Sequence, residues 1–319
     1  MVEELAVYAG SEAVGNSDQM TEGEDSVMST VAWIGTGVMG RSMCSHILNA
    51  GYSVQVYNRT AEKANDLIAA GAQWKDSPAE AARGADFVFT IVGYPTDVEH
   101  VILADDGVLG AADSGSVVID MTTSTPSLAE LLYERGKARG IDVIDAPVSG
   151  GDTGARNGTL AIMAGGDKAA FDRVYPLFEL MGGNIKLMGE AGKGQHTKMS
   201  NQILIAGTMI GVVESLLYAY KAGMDMNEVI EVIGKGAASS WSINNLGTRI
   251  AAGDYDPGFY IKHFVKDMGV ALEEAKRMNL SLPGLALAHQ FYVSAMALGW
   301  ENLGTQGLYR VFERMNSLQ

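Results

Sequence analysis

Val31-Ala32-Trp33-Ile34-Gly35-Thr36-Gly37-Val38-Met39-Gly40 decides how the rest of the chain is read. Four apolar residues lead into glycines spaced G-x-G-x-x-G, and Met43, Ile47 and Leu48 then recur at helical spacing up to Gly51. A strand, a tight turn and a helix in that order give the glycine pattern its chemistry. The first glycine makes the turn, the second lets backbone approach a pyrophosphate, and the third lets helix and strand pack closely. The helix N-terminus adds free N–H groups and the positive end of a dipole. Gly35, Thr36, Gly37, Val38, Met39 and Gly40 are therefore candidate contacts for a dinucleotide cofactor, the alternative being a glycine turn without a ligand.

The alternation continues outward from this unit. The strand Ser53-Val54-Gln55-Val56-Tyr57 ends at Asn58-Arg59-Thr60, where an Asp or Glu would serve the ribose 2′-hydroxyl of NAD. No acid stands there. A guanidinium at Arg59, with Asn58 and Thr60 beside it, suits a 2′-phosphate instead, so NADP is expected over NAD. A helix over 61–71, a short helix begun by Ser77-Pro78 and the apolar run Phe87 to Val92 follow. Runs without polar alternation suit a parallel sheet covered on both faces. The segments Val92-Gly93-Tyr94-Pro95 and Thr122-Thr123-Ser124 turn the chain at strand C-terminal ends, where ligands of open α/β sheets sit. Both are candidate cofactor contacts, with helix capping as the alternative reading. A strand over 142–148 runs into Ser149-Gly150-Gly151-Asp152-Thr153-Gly154. These glycines expose N–H groups beside a hydroxyl, a concavity suited to a carboxylate, or else form a plain tight turn. The runs at 160–164 and 185–188 read as the last strands.

At Gly192 to Gln202 the character changes from alternating elements to helices alone. At about 100° per residue, Lys198 lies roughly 60° from Asn201 and 40° from Gln202, so a cation and two carboxamides share one helix face. The helix continues to about residue 222, and further helices are expected over 226–233, 261–277 and 283–298. An all-helical second unit joined by a long helix leaves a cleft, a common place for a site. Phe259, Lys266 and Asp267 stand near a helix start within it.

With 319 residues, two domains are expected: residues 1–29 as an acidic, disordered leader, 30–192 as an α/β Rossmann-type dinucleotide-binding domain, and 193–319 as an all-α substrate and dimerisation domain. Hydrophobic residues at 47% and charged ones at 19% suit a soluble protein with a sizeable core. A net charge of -15 would repel a nucleic-acid backbone or an anionic membrane surface, so neither is an expected partner. The single cysteine, Cys44, supports neither a disulfide framework nor a cysteine zinc cluster, and no metal site is expected. The leader lacks Lys and Arg, unlike a secretory or mitochondrial presequence. The apolar run after Asn201 meets Glu214 before the roughly 20 residues of a spanning helix. A cytoplasmic protein is the resulting expectation.

Four separated motifs, Gly35 to Gly40, Asp145-Ala146-Pro147-Val148-Ser149-Gly150-Gly151, Gly192 to Gln202 and Lys266-Asp267-Met268, resemble in content and order those of the β-hydroxyacid dehydrogenases. That family includes 3-hydroxyisobutyrate dehydrogenase, tartronate semialdehyde reductase and the glyoxylate/succinic semialdehyde reductases. The resemblance runs from about Val31 to near the C-terminus. It implies a Rossmann-type domain plus a helical one, Lys198 as the catalytic lysine, and Ser149-Gly150-Gly151 as the substrate-carboxylate loop. Thr123 would lie near the nicotinamide, and Phe259, Lys266 and Asp267 would line the cleft. Many members carry Asn four residues after the lysine; here Gln202 stands there and Asn201 one position earlier, an arrangement like that of tartronate semialdehyde reductases, so Asn201 is the favoured substrate amide. Val92-Gly93-Tyr94-Pro95 stands where many members have Leu-Pro. The expected activity is NADP-preferring interconversion of a short β-hydroxy (or 2- or 4-hydroxy) carboxylic acid and its semialdehyde. The expected assembly is a homodimer or homotetramer. The competing reading is a non-catalytic NADP-binding interaction or sensor protein, against which the retained Lys198 counts.

Overall fold

The computed structural model describes residues 29–317; the expected leader over 1–29 lies outside these except for its last residue. Strand β1 (Thr30–Ile34) is buried from Val31 onward and lies at the centre of a six-stranded sheet. With β2 (Ser53–Tyr57), β3 (Gln73–Trp74), β4 (Phe87–Thr90), β5 (Val117–Asp120) and β6 (Asp142–Asp145), the order is β3-β2-β1-β4-β5-β6, all parallel. This is the doubly wound order of dinucleotide-binding folds, with the reversal point between β1 and β4.

Successive strand residues point to opposite faces, and here both faces are covered. Val31, Trp33, Val54, Val56, Phe89 and Ile119 join Met43, Cys44 and Ile47 of the helix Val38–Asn49 and Phe171, Val174 and Phe178 of the helix Lys168–Glu179 in one core. Ala32, Ile34, Val88 and Val118 join Val98, Ile102, Leu128 and Leu132 in the other. That explains the unbroken apolar runs in the sequence. Cys44 is core filler, its thiol pushed well up by burial.

Four sequence expectations need correction. The run expected as a strand from Phe87 to Val92 stops at Thr90, although Ile91 N still donates to Ile34 O at 2.9 Å. The helix expected over 61–71 is a 3₁₀ turn, Ala61–Ala64, followed by a short α-helix, Asn65–Ala69. The strand expected over 142–148 is two strands in two sheets. β6 ends at Asp145, and β7 (Val148–Ser149) pairs antiparallel with β8 (Leu160–Ala164), which pairs with β9 (Gly182–Leu187) in a separate three-stranded sheet. Pro147 is the cause, because it has no N–H to continue the first ladder. The glycine-rich loop after Ser149 also turns helical at once, as Gly151–Asn157.

The long helix Lys193–Lys221, about 44 Å by its residue count, is the spine of the second half. Among the described residues only this helix has the length and mean hydropathy, 1.7, that a spanning segment would need. Its contacts are those of a scaffold: Met209, Val213 and Leu216 enter a core with Phe264 and Met268 of the helix Ile261–Arg277, Tyr292 of the helix Pro283–Ala297 and Phe312 of the helix Leu308–Met315. The sequence did not signal that last helix, nor the π-helical turn Ser242–Gly247.

Candidate active site

The three glycines of the first turn meet different demands. Gly35 has φ +103 and a Cβ there would strike the Ile91 carbonyl; a Cβ on Gly40 would strike the Gly35 carbonyl. A Cβ on Gly37 would meet nothing within 4 Å. The turn therefore needs its first and third glycines for packing and leaves open space at the second. Gly37 caps the helix without a side chain, so the first-turn N–H groups have no side-chain cap at this end. Thr36 donates its N–H to Asn58 Oδ1 at 2.9 Å, and its buried hydroxyl has no partner. Asn58 also donates to Thr60 O at 2.8 Å. The Arg59 side chain is 86% exposed and pairs with Asp97 at 3.3 Å, an exchangeable surface contact. Open backbone, free N–H groups and an exposed guanidinium fit a dinucleotide with its phosphates.

At the carboxyl ends of β4 and β5 the two loops are tied together. Val92 N donates to Thr122 Oγ1 at 2.9 Å, and buried Asp120 accepts from Thr90 Oγ1 at 2.8 Å and Thr122 N at 3.1 Å. Tyr94 N donates to Asp97 Oδ2, closing a capping box on the helix Pro95–Leu103. From the helical half, the His263 ring lies 5.4 Å from that of Tyr94 and beside Gly93. Lys266 Nζ donates to the Thr123 carbonyl. The expected cofactor loops thus meet the helix Ile261–Arg277 directly.

The polar face of the long helix joins them. Ser149 Oγ donates to Asn201 Oδ1 at 3.3 Å, Asn201 Nδ2 to Gln202 Oε1 at 2.7 Å, and Gln202 Nε2 to Asp267 Oδ2 at 2.6 Å. Asp267 Oδ1 lies 2.7 Å from Lys266 Nζ, yet no well-directed hydrogen bond reaches it, so charge alone holds that contact. Every link donates toward the carboxylate, which fixes the orientation of both amides. Gln202 is buried inside this chain, whereas Asn201 is half-buried at its Ser149 end. Lys198 is 6% exposed. Burial lowers its pKa to about 8, with Asp267 opposing the fall and Lys266 reinforcing it.

Gly150 and Gly151 carry φ +133 and +63, and a Cβ on Gly151 would meet open space. Phe259 packs, half-buried, against the helical core, its ring 5.6 Å from that of Phe264. Among the described residues no His, Cys, Asp and Glu group could hold a metal.

Sequence reasoning passed over Asp120, Asp145, Gln195 and His263 as site residues. Asp145 and Gln195 lie inside quoted motifs, but a strand-end acid and a helical amide carry no local sign of their partners. Burial pushes Asp120 up to about 6 and Asp145 up to about 7, the latter against the pull of backbone N–H groups, those of Gly192 and Gln195 foremost, with Asp120 adding to the rise.

Residues 30–189 match the NAD-binding domain of 6-phosphogluconate dehydrogenase, and residues 192–312 match the family described as NAD-binding of NADP-dependent 3-hydroxyisobutyrate dehydrogenase. A probable 3-hydroxyisobutyrate dehydrogenase-like protein of Arabidopsis thaliana is 54% identical over 289 residues, 90% of this chain and 86% of the relative. The 2-hydroxy-3-oxopropionate reductase of Escherichia coli is 36% identical over 285 residues, 89% and 97% of the two chains. The structure of Mycobacterium tuberculosis 3-hydroxyisobutyrate dehydrogenase with L-serine superposes with TM-score 0.80 at 29% identity, covering 89% of this chain and 99% of the other. With both halves matched by family models and nearly the whole chain covered by these relatives, the chain belongs to the β-hydroxyacid dehydrogenase family and is an NAD(P)-dependent oxidoreductase.

Proposed function

We propose that this enzyme prefers NADP and interconverts a short carboxylate-bearing semialdehyde and its hydroxy acid, with Lys198 moving the proton. The observation that carries this reading is a buried amine, its pKa lowered to about 8, one helical turn before Asn201, whose side chain accepts from Ser149. The nicotinamide, when bound, supplies or accepts the hydride. Gly37, the first-turn N–H groups and the Thr36 hydroxyl would hold its phosphates, and Arg59 with Asn58 and Thr60 the 2′-phosphate. The Lys266–Thr123 contact keeps the β5 loop in place beside it.

Ser149, Gly150 and Gly151 would bind the substrate carboxylate and so set the distance to the reacting carbon. Asn201, its amide orientation fixed by Gln202 and Asp267, would orient the oxygen. In reduction the Lys198 ammonium donates to the oxygen as charge develops there; in oxidation the neutral amine accepts the hydroxyl proton. Reduction is therefore favoured below about pH 8 and oxidation above it. Assembly as a homodimer or homotetramer and a cytoplasmic location belong to the same proposal, to be checked by light scattering and by cell fractionation.

The test is a panel of glyoxylate, succinic semialdehyde, tartronate semialdehyde and methylmalonate semialdehyde, each with NADPH and NADH. Turnover of at least one, faster with NADPH, is expected. Tight NADPH binding without turnover of any would overturn the proposal in favour of a sensor.

A further inference from the structure

The helix that carries Lys198 begins at a residue unable to cap it. Gly192 occupies the N-cap with φ +84 and has no side chain to offer, so the first N–H groups need acceptors from elsewhere. Asp145 at the end of β6 provides them: Oδ1 accepts from Gly192 N and Oδ2 from Gln195 N, each at 2.8 Å. In a local capping box these two tasks fall to the N-cap and N3 side chains. Here one remote carboxylate does both, and the N3 side chain, Gln195, is free to reach the other way. Its carboxamide accepts from Ser124 N at 2.9 Å and donates to Thr122 O at 2.7 Å, bracketing Thr123. The arrangement has no slack. Gln195 is fully buried, and a Cβ on Gly165 or Gly194 would fall within 2.7 Å of an Asp145 side-chain oxygen.

We propose that Asp145 and Gln195 are positioning residues that fix Lys198 between the Ser149 turn and the Thr123 loop. Asp145 stands four residues before Ser149 on the same chain, and Gln195 three residues before Lys198 on the same helix. The carboxylate thus ties the start of the lysine helix to the turn that would hold the substrate, and the carboxamide ties it to the loop beside the cofactor. Two side chains set the separation of three segments that are far apart in sequence. This role rests on the reading of Lys198 as the proton donor.

The test uses purified full-length protein carrying Gln195→Met, which keeps length and burial and removes both bonds, or Asp145→Asn, which places a donor against a backbone donor. In Gln195→Met the turnover number for reduction should fall by about a hundredfold, the expected effect of an ångström of misplacement, while the substrate KM and the NADPH Kd change by less than about threefold. The alkaline limb of the reduction profile should also move upward, because a displaced amine regains water. Asp145→Asn should change in the same direction. An unmoved limb with turnover within about threefold of wild type would overturn the proposal. So would loss of folded protein in both variants, the mark of a purely structural role. Lys198→Met separates the two readings. If it retains turnover, the lysine reading fails; if it is inactive while Gln195→Met keeps wild-type turnover and limb, only the positioning role fails.

Discussion

Replacing Asp267 with asparagine should shift the pH range in which the enzyme reduces its substrate. In the wild type, Lys198 titrates at about 8, so reduction should be level below that pH and fall about tenfold per unit above it. Asp267 is the charge that opposes burial and Lys266 at this amine. A close opposite charge is worth about one to three pKa units, so its removal should carry the limb to about pH 7 or below. At pH 8 about half of the wild-type lysines are protonated against about a tenth in the variant, roughly a fivefold loss of rate at that pH. At a pH well below both values the two enzymes should converge. The variant keeps one acceptor oxygen, so it cannot serve both Gln202, 2.6 Å from Oδ2, and Lys266, 2.7 Å from Oδ1, and it loses the charge that pairs with Lys266. Breaking a buried pair on one side costs about 3–5 kcal/mol, so rates must be compared well below the variant's unfolding midpoint. Gln202→Met is the control, since it removes the hydrogen bond and keeps the carboxylate; it should lose stability without moving the limb down. The assay is the initial rate of NADPH consumption across the pH range at saturating cofactor. A limb in Asp267→Asn that stays at the wild-type value, or rises, would refute the reasoning.

Arg59→Ala should raise the NADPH KM severalfold or more and leave the NADH KM unchanged; its ion pair with Asp97 is surface-exposed, so the unfolding free energy should move by less than about 1 kcal/mol. An unchanged NADPH KM would remove Arg59 from the cofactor site. Gly37→Ala should fold normally, because its Cβ would meet nothing within 4 Å, and lose cofactor affinity if that open space takes the phosphates as proposed. Gly35→Ala should instead lose folded protein by circular dichroism, since φ +103 and the Ile91 carbonyl leave no room for a side chain. Phe178→Ala should lower stability in denaturant melts by about 3–5 kcal/mol, because its fully buried ring packs edge-on against Phe89 beneath the sheet; a loss under about 1 kcal/mol would mean that the site collapses to fill the cavity.

Much of the fold was legible because its signals are local. The glycine spacing, the first apolar strand and the Ser77-Pro78 helix start each depend on neighbours a few residues away, and each stands in the structure where the sequence put it. The break at Pro147 was missed because a run of apolar residues hides a change of sheet, which depends on the distant partner β8. The helix Leu308–Met315 was missed because eight residues give a short periodic window, and its burial comes from packing on the long helix.

By itself, the sequence determined the dinucleotide turn, the absence of an acid after β2, and a lysine sharing a helix face with two amides, since strand and helix periodicities place those groups without reference to the rest of the chain. Only the tertiary structure decided what Gln202 does: it tied that amide between Asn201 and Asp267, 65 residues away from the latter. It likewise decided that Asp145 caps the lysine helix and that Lys198 is dry enough to titrate near 8. The physical reason is the same in each case. Partner choice and burial for a polar side chain are properties of segments brought together by the fold, and no local window contains them.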